Sequence, residues 1–109
     1  MNVRLYILQR ATAALMVPLI AVHIAVIFYA TRKGLSAADI LGRTRGNWGF
    51  AAYYGVFVLA CAVHVPVGLT NIAQEWWGLR ERSAVWVARA FAVVLLLAGL
   101  RAVYAVVAP

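Results

Sequence analysis

The chain has 109 residues, of which 66% are apolar, against a usual share of roughly 45–50%. Its length suits one domain, and its ten Lys or Arg and three Asp or Glu are too few to cover so much apolar surface in water. The formal net charge of +7 would favour nucleic acid only if the cations clustered on one face, and here they fall in short groups between apolar runs. Composition therefore excludes an ordinary water-soluble domain and a nucleic-acid surface, and points to a membrane.

In chain order, Arg4 and Arg10 precede a first run, Ala11 to Ala30, with no charged residue. A helix needs about 20 residues, at 1.5 Å each, to cross a hydrocarbon core of about 30 Å, and this run meets that length. It is too long for a signal-peptide core, and Thr31-Arg32-Lys33 follows it in place of a small-residue cleavage site, so it is expected to stay in the mature chain. The connection from Thr31 to Gly49 contains Ser36-Ala-Ala-Asp39, a capping-box pattern that predicts a short surface helix. A second uncharged run, Phe50 to Ala73, leads into a tight connection over Gln74 to Arg82, so the second and third spans should be antiparallel neighbours. The third run, Ser83 to Ala108, is interrupted only by Arg89 and Arg101.

The predicted fold is an all-α integral membrane domain with three transmembrane helices running up, down and up over 11–30, 50–73 and 83–108. Three strands could not close a barrel, and an open sheet edge in lipid would leave backbone groups unpaired. Tyr29, Trp48, Phe50, Trp76, Trp77 and Trp86 flank the connections as interfacial aromatic belts do. Pro18 and Pro66 inside the first two spans predict kinks. Charge leaves orientation open, since five cations on one side face four on the other.

Ionisable groups inside a membrane are costly and mark candidate functional positions. His23 and His64 are the two deep ones, and neither has an Asp or Glu within its run. A neutral imidazole in lipid is well suited to ligating a metal. Cys61, His64, Gly68, Asn71 and Glu75 follow at i−3, i, i+4, i+7 and i+11 along one helical face. Gly68, one turn from the histidine, would let a flat macrocycle approach the backbone. The plainer alternative is a small-residue packing seam with a histidine bonded to a neighbouring helix. No zinc set, phosphate loop, nucleophile elbow or CxxC is present, and the chain has no complete active site of its own.

Two segments carry a resemblance. Gln9-Arg10-Ala11-Thr12-Ala13, opening the first span, is similar to a (Gln/His)-Arg-x-(Ser/Thr)-(Ala/Gly) motif. The segment from His64 through Gly68 to Glu75-Trp76 is similar to His-x3-Gly-x6-Asp-Tyr. In this order on a three-helix chain they resemble the cytochrome b membrane anchors of succinate dehydrogenase and fumarate reductase, respiratory complex II. The resemblance implies that His64 is the axial ligand of haem b and that Arg10 and Thr12 lie near the quinone and the haem propionates. Glu75 stands where the family often has Asp. Trp76 stands where it often has a quinone-bonding Tyr, and an indole donates a hydrogen bond but cannot accept one.

The resemblance also implies an iron–sulfur subunit and a flavoprotein subunit as partners, with a second anchor chain or another copy of this one. It places the chain in a bacterial inner membrane with its amino terminus inside. The inner basic residues Arg4, Arg80 and Arg82 would then meet the iron–sulfur subunit and anionic lipid. With the spans levelled on the centres of their apolar runs, His23 and His64 lie roughly 7 Å apart along the membrane normal at 1.5 Å per residue. They are thus poorly placed to share one haem. His23 either ligates a second, outer haem or is structural. Two other function classes fit the pattern: a haem-free membrane scaffold, and a small channel or transporter subunit with His64, Asn71 and Glu75 along its path.

Overall fold

The computed structural model describes residues 3–108, which form four helices: α1 (Val3–Lys33), α2 (Ala37–Thr44), α3 (Trp48–Trp77) and α4 (Glu81–Val107). Among the described residues there is no strand. α1, α3 and α4 are each long and apolar enough to cross a membrane, and α2 is the short helix expected in the first connection. The long dimension of the chain is 47 Å, which exceeds a hydrocarbon core of about 30 Å and leaves the helix ends among headgroups.

Each helix outruns its apolar segment. α1 already begins at Val3 and continues through Arg32 and Lys33, which lie in its last turn. Arg, Gln and Lys are good helix formers, so leaving the hydrocarbon does not end the helix. The ends are set by local chemistry. Ser36 Oγ accepts the Asp39 N–H at 3.0 Å and opens α2, and Asn47 Oδ1 accepts the Phe50 N–H at 3.0 Å and opens α3. α3 stops at Gly78, whose φ of +66° few side chains tolerate; the Gly78 and Leu79 amides both turn back to the Ala73 carbonyl. Only Gly78, Leu79 and Arg80 separate α3 from α4, so the two helices pack antiparallel as the short connection requires.

α3 lies in the middle, with its most extensive contact to α4 and a lesser one to α1. The α3–α4 seam is made of small residues. Ala60, Ala73, Ala84 and Ala88 are buried, and a Cβ added at Gly99 would sit 2.7 Å from Val58 Cγ1. In a lipid environment such close backbone approach supplies the van der Waals contact that holds helices together. α1 turns Gln9, Thr12, Met16, Leu19, His23, Val26 and Ala30 inward, in alternating steps of three and four. That spacing is the seam of two nearly parallel helix axes. Apart from half-buried Ala13, the rest of α1, including Val17 and Phe28, stays exposed on this chain.

At the opposite end from the amino terminus, α2 is fastened to α4. The buried Thr44 hydroxyl lies 2.7 Å from the Val106 carbonyl, and the Gly46 N–H donates to Val107 O at 2.8 Å. Both bonds reach carbonyls of the last helical turn, which have no partner within the helix. Arg43 crosses back to the Gly34 carbonyl at 2.9 Å and lies over the Tyr29 ring. Replacing Thr44 with Val should lower stability by about 0.5–1.5 kcal/mol, the net worth of one hydrogen bond. Thermal unfolding of the purified protein measures it, and an unchanged midpoint would mean that this fastening is idle.

Candidate functional site

The two histidines lie on the α1–α3 seam at different levels. Near the amino-terminal end of α1, Thr12 is buried, and its Oγ1 lies 3.0 Å from Nδ1 of the half-buried His64. The same Oγ1 is 2.8 Å from the Leu8 carbonyl and 3.0 Å from that of Gln9. One turn further along α3, a Cβ built at Gly68 would meet the Gln9 amide nitrogen at 3.4 Å. The segment Gln9 to Ala13 and the segment His64 to Gly68, more than fifty positions apart in sequence, are thus packed against each other.

Of the residues singled out in the sequence, Thr12, His64 and Gly68 come together, and Gln9, to which its motif assigns no role, joins them as a neighbour. Its signal was its place three residues before Thr12, on the same helical face. Arg10 is not in this group. One residue advances an α-helix by about 100°, so Arg10 points about 200° away from Thr12. It is exposed, with its guanidinium 5.6 Å from the centre of the Tyr6 ring. Glu75 is exposed at the carboxyl-terminal end of α3, and Trp76 is 79% exposed beside it. All three lie toward the same end of the chain, but the pairing of Thr12 with His64 levels Arg10 with Pro66, and the nine steps from there to Glu75 amount to about 13 Å along the helix.

His23 occupies an aromatic setting in the other half of the seam. Its Nδ1 lies 2.9 Å from the Tyr54 hydroxyl, and the Tyr54 and Phe57 rings meet it edge-on at centroid distances of 5.5 Å. Tyr53 donates its hydroxyl proton to the Leu19 carbonyl one turn earlier on α1. Tyr54 was missed by the sequence reading because nothing local marks which residue of α3 faces His23. Tyr54→Phe should cost about 0.6 kcal/mol and not more than about 1.7 kcal/mol, the range for interhelical hydrogen bonds in membranes. A double-mutant cycle with His23→Phe checks it, and a coupling of zero would show that the contact contributes nothing.

The register corrects the expected depth of the histidines. Thr12 faces His64 and Tyr54 faces His23. The eleven steps from Thr12 to His23 amount to about 16 Å along α1 at 1.5 Å each, more than twice the separation obtained by levelling the apolar runs. Those runs measure where charge is absent, whereas the offset between two helices is fixed by how they pack. His23 and His64 cannot ligate one ion.

A groove of about 310 Å³ opens between α1, α3 and α4 at the His64 end. Its walls are apolar at Leu8, Pro66 and Val67, and it becomes polar at Asn71, Gln74 and Arg89. Among the described residues no three His, Cys, Asp or Glu side chains gather as a metal cluster. Any metal at His64 would therefore take further ligands from another chain or from a macrocycle.

The sequence model of the succinate dehydrogenase/fumarate reductase transmembrane subunit family matches residues 1–103. The chain belongs to this family. No curated protein and no solved structure matches it. Membership accounts for the three spans, identifies the chain as an integral membrane subunit, and covers both seam segments.

Proposed function

We propose that the chain anchors the flavoprotein and iron–sulfur subunits of a succinate:quinone oxidoreductase or quinol:fumarate reductase in a bacterial inner membrane, and that it holds haem b through His64. The observation that carries the haem reading is the donor chemistry at His64. One ring nitrogen is engaged by Thr12, and among the described residues no side chain bonds the other. Gly68, one turn on, carries no side chain of its own, and the neighbour beside it is the flexible end of Gln9, 3.4 Å from where a Cβ would sit, which would swing aside for a flat group. The residues fit a haem that would be held by the His64 imidazole together with a group from a second anchor chain or another copy. When bound, the haem supplies a one-electron relay.

A quinone head would sit near the inner interface, toward exposed Glu75 and Trp76 or toward exposed Arg10, with a partner chain completing its site. The Arg10 guanidinium would stabilise negative charge on the oxygen of a quinone bound beside it. The Glu75 carboxyl can hold or release a proton beside such an oxygen, and the Trp76 Nε1–H can donate a hydrogen bond. Thr12 is turned to His64 and away from Arg10, so its contribution runs through the imidazole. Arg4, Arg80 and Arg82 at the same end give a basic surface suited to the iron–sulfur subunit and to anionic lipid.

For His23 the edge-on rings of Tyr54 and Phe57 favour a clasp between α1 and α3 over a second, outer haem. Purification of the native complex tests the whole reading. The expected result is co-purification of flavin and iron–sulfur chains, a b-type band in the reduced-minus-oxidised spectrum, and one haem per flavin, unchanged by His23→Gln. Two haems per flavin, with one lost in His23→Gln, would make His23 a ligand. A complex without visible haem absorbance would reduce the chain to a scaffold.

A further inference from the structure

We propose that Thr12 is a positioning residue that fixes the tautomer of His64, holding the proton on Nδ1 and leaving Nε2 as the nitrogen with a free lone pair. The Thr12 hydroxyl has one proton and three neighbours within hydrogen-bonding distance: the Leu8 carbonyl at 2.8 Å, the Gln9 carbonyl at 3.0 Å and His64 Nδ1 at 3.0 Å. A carbonyl oxygen can only accept, whereas Nδ1 either donates or accepts according to the tautomer. If the hydroxyl donates to Leu8 or Gln9, its oxygen accepts from Nδ1–H, and two hydrogen bonds form. If it donates to Nδ1, only one forms, and the proton moves to Nε2, where among the described residues no acceptor meets it. An N–H without a partner is heavily disfavoured in hydrocarbon. The first arrangement therefore prevails, and the backbone of α1 dictates the protonation of a ring on α3.

The burial of Thr12 supports this role. At 9% exposure, the hydroxyl is shielded from water that would otherwise exchange partners with the imidazole. Metal-ligating histidines are generally held in this way, the far ring nitrogen donating to a protein oxygen that sets ring orientation and raises ligand basicity. Here the oxygen is a hydroxyl whose own proton is occupied, so it accepts without competing for the ring. The tautomer stands on geometry alone; only its consequence for a metal rests on the proposed function above.

Two measurements separate these layers. In the full chain produced without haem and placed in lipid nanodiscs, ¹⁵N spectra of the histidine rings should show His64, assigned by its loss in His64→Gln, in the Nδ1–H form. Thr12→Val should move it toward Nε2–H, and Thr12→Ser should restore it. An Nε2–H ring in the unmodified chain overturns the proposal. In the purified complex, Thr12→Val should weaken haem retention about 10- to 100-fold, as loss of an outer partner typically does, with displaced low-spin g values and a shifted midpoint potential. Thr12→Ser should return all three. Haem retention, g values and potential that are all unaltered in Thr12→Val would also overturn it. A complex that holds no haem, in a chain whose tautomer nonetheless follows Thr12, would sink the haem reading and uphold the positioning role.

Discussion

Replacing His64 with alanine is expected to remove haem from the purified complex, with a loss beyond the about 10- to 100-fold that removal of an outer partner causes. Under the proposed assignment the imidazole is the iron ligand, and among the described residues Cys61 is the other soft donor on this face. Alanine also leaves the buried Thr12 hydroxyl without its partner across the seam, so α1 should dock less firmly and the yield of assembled complex should fall. Haem-to-flavin ratio and subunit stoichiometry read the two effects separately. Full haem content with an unchanged spectrum would refute the ligand assignment outright, while loss of assembly with normal haem in the surviving fraction would mean that the ring is structural only.

The second large effect is expected at Gly99. An added methyl group would sit 2.7 and 2.8 Å from the two Cγ atoms of Val58 and 3.3 Å from its Cβ. The β-branched Val58 side chain has little rotamer freedom in a helix and cannot swing aside. Gly99→Ala should therefore push α3 and α4 apart and destabilise the protein by about 1–3 kcal/mol, the usual cost of overpacking. This is despite the gain of about 1 kcal/mol in intrinsic helix propensity that the same change brings. Val58→Ala in the same chain should recover most of the loss, and thermal unfolding in detergent compares the three proteins. A Gly99→Ala protein as stable as the parent would show that the seam yields more readily than its small residues suggest.

The three spans were legible because lipid imposes a simple condition, long uncharged runs, and the chain meets it three times. The Ser36 cap and the antiparallel pairing of α3 with α4 were legible as local chemistry and as a short connection. Helix ends were less so, because the apolar runs record the thickness of the hydrocarbon while α1 and α3 continue into the headgroup region until Gly34 and Gly78 intervene. The face of α3 bearing His64 and Gly68 could be read from spacing alone. What stands opposite that face could not: the register of two helices depends on side-chain fit along the whole seam, and no short segment encodes it. Arg10 shows the converse hazard, since its adjacency to Gln9 within one motif says nothing about sharing a site once the helix has turned by about 100°.

The bonds from Thr44 and Gly46 to the end of α4 also bear on the order of synthesis. The surface helix that makes them emerges from the ribosome before α3, but the carbonyls it grips are among the last to be made. Until the third span has threaded into the bilayer, that helix lacks these two bonds and is held through Arg43 to the Gly34 carbonyl and the Tyr29 ring. Protection of this short segment from protease should thus increase when the third span is in place.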